Sequence, residues 1–356
     1  MATASPAAAS LTALLRGKQL PALDGLRAIA VFVVIAYHAG LEAVPGDLGV
    51  SIFFVLSGFL ITWLLLKEYA ASNSISLRNF YLRRVLRIFP AYYVFITFSF
   101  VADHVLHDRW SPGLIAAAYG YVMNYYNAVM GHPTTSIAHA WSLAVEEQFY
   151  LLWPAALVWL LPRGRKVVAR ALLATIALIA LWRSYLFVVA GVGTPWVYNA
   201  FDCRFDNLAV GCLLAVLLTN ETVAERSRAL VSRPWVSLAT CVVLVASRLG
   251  GSLYHYSVGF TVDAVIIAVL LVQVLWLSGH PLWSWLELKP VRYLGRISYP
   301  LYLYHIWGID AGNHVAARAP LPAWVWGIVC SIVMASMSYY GIERPFLKLK
   351  TRFERV

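Results

Sequence analysis

Residues 31–36, 48–66, 151–161, 167–190 and 262–277 belong to apolar stretches long enough, or nearly so, to cross a lipid bilayer as helices, and this constrains the fold more than any other feature. A hydrocarbon layer roughly 30 Å thick takes about 20 apolar residues in helical conformation. Backbone groups facing lipid must bond within their own segment, so helix is the default state of each run. Apolar residues make up 61% of the 356 positions and charged residues 13%. An ordinary soluble domain is about half apolar and a quarter charged, so that class is excluded.

Setting the apolar runs against their polar breaks predicts an all-α chain of about ten crossings, near 24–41, 48–66, 86–103, 141–161, 167–189, 203–219, 234–249, 258–278, 296–312 and 322–342. Segment 113–127 is open to two readings, a re-entrant piece or one lying on the surface. An even number of crossings puts both termini on one side, and the basic residues test that. All but five of the 28 Lys and Arg fall in segments 16–27, 67–87, 163–170, 226–233, 289–296 and 344–355, which this topology places together. The exceptions are Arg109, Arg183, Arg204, Arg248 and Arg318. Lys and Arg concentrate in cytoplasmic loops, so cytoplasmic termini are expected. The net charge of +11 then forms a cytoplasmic rim, and no nucleic-acid partner is needed to explain it. Residues 1–20 read as a cytoplasmic segment, 21–345 as the membrane domain and 346–356 as a basic tail. The run Leu11–Leu15 is too short for a cleavable signal, so the first helix is expected to direct insertion. Cys203, Cys212, Cys241 and Cys330 show no paired or metal-ligand spacing and read as free packing residues.

An ionisable group at bilayer depth costs a few kcal/mol even on the lenient insertion scale, so each one needs a partner, a water-filled cavity or a functional role. In the first crossing Arg27 and His38 are eleven residues apart, which separates them by about 20° around the helix and roughly 16 Å along it. They share a face. His38 can be a packed histidine bonded to a carbonyl, or a general base whose imidazole takes a proton from an attacking hydroxyl. Arg27 can pair with Asp24 one turn away and merely anchor the helix end. Ser51, Ser57 and Gly58 are small residues among bulky ones and admit a close helix or ligand. Arg83, Arg84 and Arg87, if helical, form a guanidinium cluster at the membrane rim, suited either to the phosphates of a nucleotide or to lipid phosphates. Glu146 and Glu147 point about 100° apart, so one is expected in a cavity and the other at an interface. Arg183, Asp263, His305, Asp310 and the group Asp202, Arg204 and Asp206 are further charged or polar positions, and the last three are expected to pair with one another.

In combination these blocks resemble acyltransferase family 3 of transmembrane acyltransferases, which includes O-antigen, peptidoglycan-type and macrolide O-acylating enzymes. The resemblance rests on Arg27 and His38 within LDGLRAIAVFVVIAYH, FFVLSGFLI at 53–61, RRxxR at Arg83, Arg84 and Arg87, and WSLxVEEQFY at 141–150. ISYPLYLYH at 297–305 and SYYGIERPF at 338–346 complete it. It implies a ten-helix fold in a bacterial-type plasma membrane. It further implies acyl-CoA, acetyl-CoA foremost, entering from the cytoplasm as co-substrate, no metal, and a hydroxyl-bearing glycan or small-molecule acceptor. On that reading His38, Arg27 and Glu146 are the catalytic candidates, Arg83, Arg84 and Arg87 hold the CoA end, and Ser51, Ser57, Glu147, His139 and His305 are candidates for contacts to the acceptor. Relatives often carry an acid where this chain has Ser51, which aligns it with macrolide-type members, and no appended esterase-like domain is expected. A transporter or flippase is the rival reading, because intramembrane charges also mark transport pathways. The lack of a repeat relating two halves counts against it.

Overall fold

The computed structural model describes residues 20–41, 43–106, 110–231 and 233–353, with the side chains of 229 and 230 excepted. Expectations placed on Leu11–Leu15, Arg16, Lys18, Arg109 and Arg355 therefore lie outside the described residues, as do most of segment 1–20 and the end of the basic tail. Among the described residues every regular element is a helix.

A helix occupies each of the ten apolar segments. These are α1 (Pro21–His38), α2 (Gly46–Ser72), α3 (Leu77–Val105), α6 (Trp141–Leu160), α7 (Arg165–Ser184), α9 (Phe201–Leu218), α11 (Pro234–Ala246), α12 (Phe260–Trp276), α14 (Ser298–Ala316) and α15 (Ala323–Ser338). Shorter helices lie between and after them: α4 (Pro112–Tyr119), α5 (Met123–Met130), α8 (Thr194–Asn199), α10 (Glu221–Val231), α13 (Lys289–Arg296) and α16 (Arg344–Lys350). Segment 113–127 is thus α4 and part of α5, each eight residues long and too short to cross a bilayer.

By length and apolarity six helices can span a membrane, or seven if the pair 194–218 and 221–228, bent by 106°, is one span. One of the six, Pro234–Trp276, doubles back on itself. Gln273 Nε2 donates to Thr240 Oγ1 at 2.9 Å and Ser247 Oγ to Asp263 at 2.6 Å, so α11 and α12 run antiparallel. Helices α6, α9 and α14 are not among the six, and it is they that carry Glu146 and Glu147, Arg204 and Asp206, and His305.

Two departures from expectation bear on the site. First, α3 begins nine residues before the predicted crossing, because Ser76 Oγ caps it by accepting from Asn79 N–H. The stretch of Arg83, Arg84 and Arg87, whose clustering required a helix, is therefore helical and sits on the first turns of α3. Second, Asp202, Arg204 and Asp206 do not pair with one another. Arg183, fully buried, donates to Asp206 (2.9 Å), Thr261 Oγ1 (2.6 Å) and the carbonyls of Cys203 and Ser257 (both 2.7 Å), which ties α7, α9 and α12 together. Asp202 accepts from Trp182 Nε1, and Arg204 lies 3.8 Å from the Phe260 ring centroid. Adjacent helix positions diverge by 100°, so these three side chains meet different neighbours.

Helices α2 and α9 cross at Gly58 and Gly211. A Cβ on Gly58 would stand 2.0 Å from the Leu208 carbonyl oxygen, and one on Gly211 would stand 2.1 Å from that of Val55. This contact sets the depth of Ser57, one residue from the crossing. All four cysteines are free, with Cys203 and Cys212 buried.

Candidate active site

Two cavities lie along the face of α1 that carries Arg27 and His38. The first, here the basic cavity, is lined by Arg27, Arg84 and Arg87 together with Ser57, Ser142, Glu146, Glu147, Tyr150 and Tyr299. It is narrow, about 80 Å³. The second, the histidine cavity, encloses about 660 Å³ and holds His38 and His139 with His132, His255, Asp47 and Asn199 among Tyr37, Trp141, Tyr198 and Tyr256. Val50 of α2 and Tyr302 of α14 line both cavities. Arg27 and His38, separated by a rise of roughly 16 Å along α1, thus stand on either side of this shared wall.

In the basic cavity Ser57 Oγ donates to Glu146 Oε1 at 2.6 Å and Tyr150 Oη to Ser57 Oγ at 3.2 Å, a chain joining α2 to α6. Arg27 keeps Asp24 as a loose partner, 3.7 Å away on its own helix. Arg84 stacks between the rings of Phe80 and Tyr150, 5.6 Å from each centroid, and its Nε has no hydrogen-bond partner. Glu146 and Glu147 were expected to face different surroundings, yet both line this cavity. The N-terminal half of α6 projects into it, so that side chains 100° apart border one space.

Arg83 is set apart. It donates to Glu68 (3.2 Å) and to the Phe353 carbonyl (2.7 Å), so the expected cluster of three guanidinium groups is in fact a pair, Arg84 and Arg87. Arg84 and Arg87 are one turn apart on the face turned to the cavity, and Ile88 beside them also lines it.

His38 ends α1, and its Nδ1 lies 3.0 Å from the Val34 carbonyl and 3.3 Å from His305 Nε2. The residue is exposed to the histidine cavity. His305 packs behind it with ring centroids 4.9 Å apart, and His139 packs on the far side of His305 at 4.7 Å. His139 Nε2 donates to the Leu303 carbonyl at 3.2 Å. Tyr302 Oη, at the shared wall, is bonded to Ser142 Oγ (2.7 Å) and the His139 carbonyl (3.1 Å).

Of the residues expected at the acceptor, His139 lines the histidine cavity and Ser57 and Glu147 line the basic one. Ser51 and His305 line neither. Ser51 is buried between the Asp47 carbonyl (3.1 Å) and Arg204 Nη2 (3.3 Å), and His305 is fully buried behind His38. Ser51 points towards α9 instead of α1, and His305 is shielded by the imidazole it supports.

The far wall of the histidine cavity was not evident in the sequence. Asp47 bonds Arg248 and lies 3.3 Å from His255 Nε2, and Arg248 also reaches Asp263 at 2.8 Å. His132 Nε2 pairs with Asn199 Oδ1 at 3.0 Å across 67 residues of sequence. The only signal was a carboxylate at the start of an apolar helix and a histidine in the polar stretch before α6, neither specific until folding brings them together.

The acyltransferase domain model matches residues 20–340. The peptidoglycan O-acetyltransferase OatA of Listeria monocytogenes is 31% identical over 351 residues, covering 93% of this chain and 56% of that protein. The O-acetyltransferase OatA of Staphylococcus aureus is 32% identical over 358 residues, covering 93% and 58%. The putative peptidoglycan O-acetyltransferase YrhL of Bacillus subtilis is 32% identical over 351 residues, covering 92% and 55%. The chain therefore spans a little over half the length of these relatives. No solved structure matches it. Two of the three relatives are named for peptidoglycan and none for a macrolide, so they do not carry the hint drawn from Ser51. The order of blocks from Arg27 to Phe346 and the match over 20–340 agree: the chain belongs to acyltransferase family 3 of transmembrane acyltransferases.

Proposed function

We propose that this protein is an integral-membrane O-acyltransferase that carries an acetyl group from acetyl-CoA in the basic cavity to a hydroxyl of a cell-envelope glycan in the histidine cavity, with His38 as general base. The observation that carries the reading is the position of His38, facing the larger cavity directly beyond the Val50 and Tyr302 wall of the arginine-lined one.

Each cavity suits its substrate. Guanidinium groups bind phosphates through charge-assisted hydrogen bonds, and Arg84 and Arg87 supply them. A space of about 80 Å³ suits an extended thioester arm far better than a nucleotide, so the nucleotide stays at the mouth while the arm threads past Arg27 and Ser57. The histidine cavity combines flat aromatic rings with a few fixed polar groups, His132, Asn199 and Asp47, a lining that orients a polyhydroxylated ligand. The names of the relatives favour a peptidoglycan-like glycan.

In the reaction the acceptor hydroxyl gives its proton to His38 Nε2 as its oxygen attacks the thioester carbonyl carbon. The carbon–sulfur bond breaks, the departing thiolate takes the proton back from His38, and the products are the acetyl ester and CoA. Positioning two substrates on either side of one imidazole accounts for much of such catalysis. The positive-inside rule sets the basic cavity towards the cytoplasm, with ten crossings and both termini on that side.

The test is acetyl transfer from labelled acetyl-CoA to muropeptides by the purified protein in liposomes. His38→Ala is expected to lose about 10²-fold or more of turnover with an unchanged melting temperature. Turnover at the wild-type level in this variant would remove His38 from the chemistry. Saturable uptake of solute by a wild-type protein that transfers no acetyl would favour the carrier reading instead.

A further inference from the structure

His305 is a buried titratable group in direct contact with the proposed base, and acetyl transfer as outlined above gives it no part. We propose that His305 is a positioning residue that, together with the Val34 carbonyl, holds the ring and the tautomer of His38 so that the lone pair of His38 Nε2 is left for the acceptor; the proposal rests on His38 being the base.

Two backbone carbonyls set the protonation of the rings, that of Tyr302 for His305 and that of Val34 for His38, and His305 adds a second acceptor to His38. His305 Nδ1 lies 2.7 Å from the carbonyl of Tyr302, three residues earlier on α14. A carbonyl only accepts, so Nδ1 carries the proton. In a neutral imidazole the other nitrogen is then an acceptor. That nitrogen, Nε2, is 3.3 Å from Nδ1 of His38, which is also 3.0 Å from the Val34 carbonyl. Two acceptors converge on His38 Nδ1, so it bears a proton shared between them. The remaining nitrogen, Nε2, is left unprotonated on a residue exposed to the histidine cavity.

Orientation is fixed as well as protonation. His305 is fully buried between His38 and His139, with its ring tilted 55° to the first and 65° to the second. His139 is in turn held by its bond to the Leu303 carbonyl. The backbone of residues 302–303 thereby anchors both supporting rings, and Tyr302 itself forms the wall between the cavities. When His38 takes the acceptor's proton, its Nδ1–H already faces two acceptors and no group has to move. A carboxylate fills this role in hydrolase triads, whereas here the orienting groups are a neutral ring and a carbonyl.

Two measurements test the proposal. Steady-state kinetics should show His305→Leu losing about 10²-fold in kcat with the KM for acetyl-CoA within about twofold, and His305→Gln, whose amide oxygen can accept from His38, recovering most of that loss. A His305→Leu variant within about twofold of the wild-type kcat would overturn the proposal, as would equal losses in the leucine and glutamine variants. The second measurement does not need the leucine variant to fold: ¹⁵N spectra of histidine-labelled wild-type protein, with the His38 signals assigned by comparison with His38→Ala. They should show His38 protonated on Nδ1, and a proton on Nε2 would overturn the proposal. A wild-type protein without transferase activity would sink the functional reading, while the spectra would still report the tautomer.

Discussion

Arg83 and Arg84 are adjacent in sequence, yet Arg84 lines the basic cavity while Arg83 ties α3 to Glu68 and Phe353. Their substitutions should therefore separate. Arg84→Ala and Arg87→Ala each remove a charge-assisted contact to CoA, worth about 1.5–3 kcal/mol, so KM for acetyl-CoA should rise by one to two orders of magnitude with kcat little changed. Arg83→Ala should leave that KM alone and lower the melting temperature by a few degrees, as read by thermal shift in detergent. At this scale the sequence singled out side chains that the fold places along the two cavities, among them Arg27, His38, Ser57 and Glu146. The neighbours each would meet were not. A step of one residue turns a side chain by 100°, so the loss of Arg83 and Ser51 from the site, the placing of Glu147 beside Glu146 and the burial of His305 all depend on residues far away along the chain.

Between helices, two kinds of contact hold the site in register. At the α2–α9 crossing even a methyl group at Gly211 would overlap the Val55 carbonyl. Gly211→Ala should thus cost about 1–3 kcal/mol through overpacking. It should also reduce transfer, since Ser57 and Glu146 would be pushed apart. The second contact is the buried pair of Arg183 and Asp206, with both side chains fully enclosed. Removing one partner of such a pair leaves an uncompensated charge, and Asp206→Ala should destabilise the protein by about 3–5 kcal/mol, measurable as loss of folded protein on heating in detergent. The ten long helices were legible because apolar runs in a membrane leave the backbone no other option. The short helices α4, α5, α8, α10 and α13 were not, because runs of six to eleven residues carry little periodic signal and owe their shape to packing.

Across the whole molecule, the distribution of Lys and Arg agrees with the placing of the two cavities, although the two observations are independent. Four of the basic segments meet near Arg27, Arg84 and Arg87, since Gly295 packs against the Asp24 backbone and Arg83 reaches the Phe353 carbonyl, and the histidine cavity lies farther along α1. If that end faces the cytoplasm, a fluorescent reporter fused after residue 356 should light up, whereas an alkaline phosphatase fused there should stay inactive; the reverse pair of results would invert the proposed direction of transfer. The central claim is that a thioester from the arginine side reaches the imidazole. An experimental structure with a non-reactive acetyl-CoA analogue tests it most directly. The account predicts phosphates against Arg84 and Arg87, the arm passing Val50 and Tyr302, and the acyl carbon beside His38, leaving room for an attacking oxygen about 3–3.5 Å away. An analogue bound elsewhere, or one whose acyl end stops short of the Val50 and Tyr302 wall, would contradict it.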